Sequence, residues 1–97
     1  MPLYVSLMKL TDQGVKDIKN FAKRFETSIE FLKQLGAKLV GFWSTLGEYD
    51  YVSVAEAPND EVAMQFLLTL GASGNVRTTT MKAFTAEELT KITKKLP

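Results

Sequence analysis

Two apolar runs, residues 39–43 and 51–55, are separated only by Ser44 and the stretch Thr45-Leu46-Gly47-Glu48-Tyr49-Asp50. Strands joined by so short a connection must run antiparallel, because a parallel return needs a long crossover. Gly47 supplies the backbone freedom for a tight reversal, and Asp50 can bond back to nearby amides. The hairpin puts the only tryptophan, Trp43, with Tyr49 and Asp50 near one end of a sheet.

The rest of the chain is read around that hairpin. Residues 3–10 alternate, with Leu3, Val5 and Leu7 on one face and Tyr4, Ser6 and Met8 on the other. Thr11 offers an N-cap, and Val15, Ile18, Ala22, Phe25, Ile29 and Leu32 follow at helical spacing until Gly36. A single helix over 12–35 would measure roughly 36 Å at 1.5 Å per residue. That overhangs strands of roughly 23 Å. The capping box Thr27-Ser28-Ile29-Glu30 places a kink or restart near 26–28. Phe31 falls off the apolar stripe and reads as an exposed aromatic, a hint of a partner.

Pro58 ends the second hairpin strand, and Asn59 or Asp60 caps a helix whose inner face is Val62, Ala63, Phe66, Leu67 and Leu70. Met64 and Leu68 fall on its other side. Residues 71–75 close it, 76–84 form a Thr-rich strand with ambiguous faces, and Thr85 caps a short charged helix. The order β-α-β-β-α-β plus a tail helix, with right-handed crossovers, defines an α+β ferredoxin-like domain. Its four-stranded antiparallel sheet is ordered 4-1-3-2, with both helices on one face. At 97 residues the chain is one domain, 1–97.

Composition removes several functions. With 12 Lys and Arg against 11 Asp and Glu, the net charge of +1 argues against a dedicated nucleic-acid binder. Without cysteine or histidine there is no thiolate chemistry, zinc ribbon or histidine-ligated haem. No acidic cluster suits a metal, so neither metal nor cofactor is expected. No run approaches the roughly 18 apolar residues of a membrane span. Without a signal-peptide pattern at the start, a cytoplasmic protein is the expectation.

The open face of the sheet is expected to carry Tyr4, Ser6 and Met8, with Tyr49, Tyr51 and Ser53, joined by Phe42 or Trp43. Such an uncharged, aromatic and hydroxyl face is unusual for a wet surface. It reads as a homo-oligomer contact through Tyr4, Met8 and Tyr51. Two alternatives are an ordinary semi-polar surface and an RNA-stacking platform on Tyr4 and Tyr51. The third strand lacks the basic and aromatic pattern of RNA-binding sheets. The topology also gathers Trp43, Tyr49, Asp50, Asn75 and Arg77 at one end. Those groups suit a small anionic or aromatic ligand. A cofactor-free enzyme would use Asp50 as base, Arg77 as anion clamp and Tyr49 to polarise the substrate.

Three segments carry a resemblance: Leu46-Gly47-Glu48-Tyr49-Asp50, then Glu56-Ala57-Pro58-Asn59-Asp60, then Gly74-Asn75-Val76-Arg77-Thr78. In this order they resemble the GYD domain family, named for its Gly-x-Tyr-Asp motif, over nearly the whole chain. The resemblance implies a dimeric α/β barrel and marks Arg24, Gly47, Tyr49, Asp50, Asn75, Arg77 and Thr78 as positions of interest. Thr79 stands where family members often carry an acid. The family brings no established activity.

Overall fold

The computed structural model describes residues 1–97. Strands β1 (Leu3–Leu10), β2 (Lys38–Ser44), β3 (Tyr51–Glu56) and β4 (Val76–Ala83) form one antiparallel sheet in the order β2-β3-β1-β4. This is the expected 4-1-3-2 arrangement. Helices α2 (Phe21–Gln34) and α3 (Asp60–Ser73) cross over between the strands and pack against its outer members, α2 on β2 and α3 on β4. No helix is long and apolar enough to cross a membrane.

The helix expected over 12–35 is broken, but at 17–20 rather than near 26–28, where the T-x-x-E signal placed it. Helix α1 (Asp12–Lys16) ends at Asp17, a 3-10 turn spans Ile18–Asn20, and α2 begins at Phe21. Asp17 accepts from the Asn20 side chain and faces Arg24, which holds the turn from both sides. Thr27 instead donates to the Lys23 carbonyl inside α2, so its capping box is unused. Val15 and Ile18 are exposed, and the inner face of α2 begins with Phe21. Phe31 is half-buried and stacks on Phe66 at 6.0 Å, joining α2 to α3 rather than facing solvent.

Other boundaries follow their sequence signals. Gly36 takes φ 75°, and the amides of Gly36 and Ala37 bond back to Lys33 and Leu32, a Schellman ending. The Asn59 carboxamide oxygen accepts from the Val62 amide at 2.9 Å to start α3. Thr85 and Glu88 form a reciprocal capping box on α4 (Ala86–Thr93).

The faces of the sheet are the reverse of the expectation. Tyr4, Ser6, Met8, Tyr51 and Ser53 are all buried on the helix-covered side, at 7 or 8% exposure. They therefore form neither the expected homo-oligomer contact nor an RNA-stacking platform. The open side carries Leu3, Val5 and Leu7, opposite Val54 and Val52 on β3 and Met81 and Thr79 on β4. Trp43 is on that side too, 54% exposed, its ring lying over Gly41. Phe42 points inward, into the ring cluster around Tyr51. Period-two alternation sorts residues into two sets but does not say which set the helices cover. A one-residue slip exchanges the sets without changing strand order or crossover hand, so packing against the helices decides between them, and both sets here are apolar enough to serve. In β4 the inward set is Val76, Thr78, Thr80 and Lys82, and the outward set is Arg77, Thr79, Met81 and Ala83.

Candidate functional site: a cleft between sheet and helices

Because α2 and α3 rest on the outer strands, the inward residues of β1 and β3 lie beneath a gap. A filled core would place branched aliphatics there. The chain places Ser6 and Ser53 instead, directly paired across the two central strands. Ser6 shares a hydrogen bond with Thr80 at 2.8 Å, giving a hydroxyl-bearing floor. Above it opens a cleft of about 700 Å³. Its walls are Phe21, Phe25, Ile29 and Leu32 from α2, with Phe66 and Leu70 from α3. One end is closed where Tyr4, Leu32, Ala37 and Ala57 pack together.

The other end is aromatic and carries polar groups. Phe42 lies 4.8 Å from Phe25 and 5.1 Å from Tyr51, and Phe21 lies 5.5 Å from Tyr51, centroid to centroid. Such a cluster fixes each ring by its neighbours. The Tyr51 hydroxyl is buried and has no hydrogen-bond partner. Arg24 Nη1, also buried, sits 3.1 Å from Asp17 Oδ2 but lacks hydrogen-bond alignment with it. Burial pushes the Tyr51 phenol above its ordinary pKa; the nearby Arg24 charge opposes that shift and Asp50 adds to it. Two buried donors without acceptors are uncommon in a finished interior.

The residues singled out from sequence separate into different places. Arg24 and Asn75 line the cleft. Thr78 is half-buried on the inward side of β4, paired with Met8. Asp50 accepts the Leu10 amide at 2.8 Å, while its own amide donates to the Met8 carbonyl. It thus bolts the hairpin to the end of β1. Tyr49 lies beneath the Lys9 ammonium, 5.3 Å from ring centre, and Lys9 also pairs with Glu48 at 3.4 Å. Arg77 donates to the Gly71 and Val76 carbonyls and stands beside Lys9 on the open side. Trp43, Tyr49, Asp50 and Arg77 do not line the cleft. Among the cleft residues not singled out as ligand contacts are Tyr51, Phe21, Phe25, Phe42, Ser6 and Ser53. Their signal is a run of small hydroxyls between aromatics on the inward set of the central strands.

At the closed end the Tyr4 hydroxyl donates to Asp60 at 2.5 Å, and Lys82 pairs with the same carboxylate at 3.1 Å. Burial first, then the Asp60 hydrogen bond and charge, push the Tyr4 phenol up to about 12. The hydrogen bond from Tyr4, then that from Lys82, hold the Asp60 carboxyl below its usual range. The raised phenol keeps its proton longer folded than unfolded, so its stabilisation is complete below the unfolded value of 10.0 and is lost as pH rises towards 12. The depressed carboxyl acts oppositely, its contribution being lost as pH falls through the acid range. Urea midpoints measured against pH should show both limbs, and Tyr4→Phe should flatten the alkaline one. An unchanged alkaline limb in that variant would refute the assignment.

The geometry defines a class: a ferredoxin-like βαββαβ domain with an apolar cleft between its sheet and its two crossover helices. The chain belongs to the GYD domain family, whose model matches residues 4–93. A Thermus thermophilus protein named "Glutamine synthetase and cystathionine beta-lyase binding protein" is 32% identical over 90 residues, covering 92% of this chain and 95% of that protein. No solved structure gives a significant match.

Proposed function

We propose that this protein is a self-associating binding module that takes a small anionic or aromatic molecule in the cleft between sheet and helices. The observation that carries this reading is the 700 Å³ cleft floored by Ser6 and Ser53, where side chains of a filled core would otherwise stand. Pockets of this size with few polar groups are the usual form of small-molecule sites. The name of the Thermus thermophilus relative supports a role in which the module also contacts other proteins. Filling the floor tests the ligand reading. Ser53→Leu should keep the chain folded and abolish uptake of a hydrophobic fluorophore such as anilinonaphthalene sulfonate. Undiminished uptake would count against the cleft.

Self-association uses the open side of the sheet. Leu3, Val5, Leu7, Val52, Val54, Trp43 and Met81 make one apolar face, and a second copy placed sheet to sheet covers it isologously. Leu7 sits at its centre on β1, between Val52 and Thr79. Leu7→Glu should convert the assembly to monomers in light scattering, with the far-ultraviolet dichroism of the fold retained. An unchanged mass would remove this face as the contact.

A further inference from the structure

We propose that the cleft is built for an elongated amphipathic monocarboxylate, with its acid group at Arg24 and Tyr51 and its apolar body running beneath α2 towards Leu32. The inference rests on the reading of the cleft as a ligand site and adds the ligand's chemistry and direction.

Three observations point the same way. The first is the pair of buried donors: the Tyr51 hydroxyl, on a side chain 7% exposed, has no acceptor, and Arg24 Nη1 has only an out-of-line ion-pair contact at 3.1 Å with Asp17. Both line the cleft at the same end, and the charge of Arg24 reaches the phenol. A carboxylate accepts from both at once, and such charge-assisted bonds are the strong ones in a low-dielectric site. Arg24 keeps donors for this while remaining beside Asp17, because a guanidinium carries five.

The second observation is shape. Cleft residues extend along β1 from Leu10 to Tyr4, roughly 20 Å at about 3.3 Å per residue. Along α2 they extend from Phe21 to Gln34, roughly 20 Å at 1.5 Å per residue. The two runs are superposed, since Phe21 contacts Tyr51 at one end and Leu32 packs with Tyr4 at the other. Between these ends the walls are Phe25, Ile29 and Phe66, with no further cation.

The third is polarity. Lys23 and Arg24 line the cleft near its aromatic end, whereas Glu30 and Glu56 line it towards the end that Leu32 and Ala57 close. Within the lining an anionic head is thus drawn to Arg24 and repelled from the opposite end, although Asp17 beside Arg24 and Asp50 near Tyr51 carry negative charge just outside the lining.

The test is calorimetric titration of the full chain with decanoate, with 1-decanol as its uncharged counterpart and with acetate as the head alone. Decanoate should bind at least tenfold tighter than decanol, and acetate should give no measurable heat. Arg24→Gln should weaken decanoate about ten- to hundredfold and leave decanol unchanged, as expected for loss of one hydrogen bond to a charged group. Arg24→Lys should restore part of the decanoate affinity, and Tyr51→Phe should cost severalfold. Unaltered decanol binding shows at the same time that the Arg24→Gln chain is folded. Equal affinity for decanoate and decanol, or decanoate affinity indifferent to Arg24→Gln, would overturn the acid-head assignment while leaving the cleft a ligand site. Failure of both long-chain probes to bind the folded parent would overturn the cleft reading and this inference with it.

Discussion

Gly14→Ala should destabilise the fold by about 2–4 kcal/mol, although alanine is the better helix former. Helix α1 lies so close to the start of β4 that a Cβ on Gly14 would stand 2.1 Å from the Asn75 carbonyl oxygen. That oxygen belongs to the backbone and cannot rotate away. It also accepts the Thr11 amide at 3.0 Å, so moving it breaks the bond that ties the end of β1 to the start of β4. The surrounding straps would shift with it: Thr11 Oγ1 to the Gly74 carbonyl, and Gln13 Nε2 to Ser73 O and Asn75 Oδ1. The gain in helix propensity, about 1 kcal/mol, is smaller than the clash. Urea denaturation should show a lower midpoint, and a midpoint equal to the parent's would refute the close approach.

Asp50→Ala should cost about 2 kcal/mol, and Asp50→Asn markedly less. The carboxylate is the acceptor of the Leu10 amide at 2.8 Å in a partly buried position. Truncation leaves that amide unpaired where water reaches it poorly, whereas the asparagine oxygen can still accept. The amide and carbonyl of Asp50 are also engaged, with Met8 and Thr45, so the residue holds three segments in register. The discriminating measurement is the pair of variants in one denaturation series. Equal losses for both would mean that charge, not acceptor geometry, holds the hairpin. A brace of this kind explains the presence of Asp50 in the Gly47-Glu48-Tyr49-Asp50 turn without asking it to act as a base.

Much of the architecture was legible residue by residue. The hairpin around Gly47, the caps at Thr11, Asn59 and Thr85 and the glycine ending at Gly36 depend on neighbours within a few positions, and such local chemistry is written in the chain. The break at 17–20 was not, because it depends on Asp17 meeting both Asn20 and Arg24, and a short capping motif nearby competed with it. Of the residues singled out, Arg24, marked by the family resemblance, and Asn75, marked by that and by the topology, line the cleft. The aromatic cage and the serine floor were missed, because they acquire meaning only once the covered side of the sheet is known.

By itself the sequence determined the element order, the antiparallel hairpin, the strand order and the GYD family. The first three follow from periodicity, capping and connection length, and the family from three short motifs in order. Which set of side chains the helices cover was decided by tertiary structure, since alternation gives two equivalent sets and only the packing of the helices onto the sheet chooses between them. That choice turned Tyr51 from a surface contact into a buried donor beside Arg24. It also turned Leu7 and Val52 from core into open face.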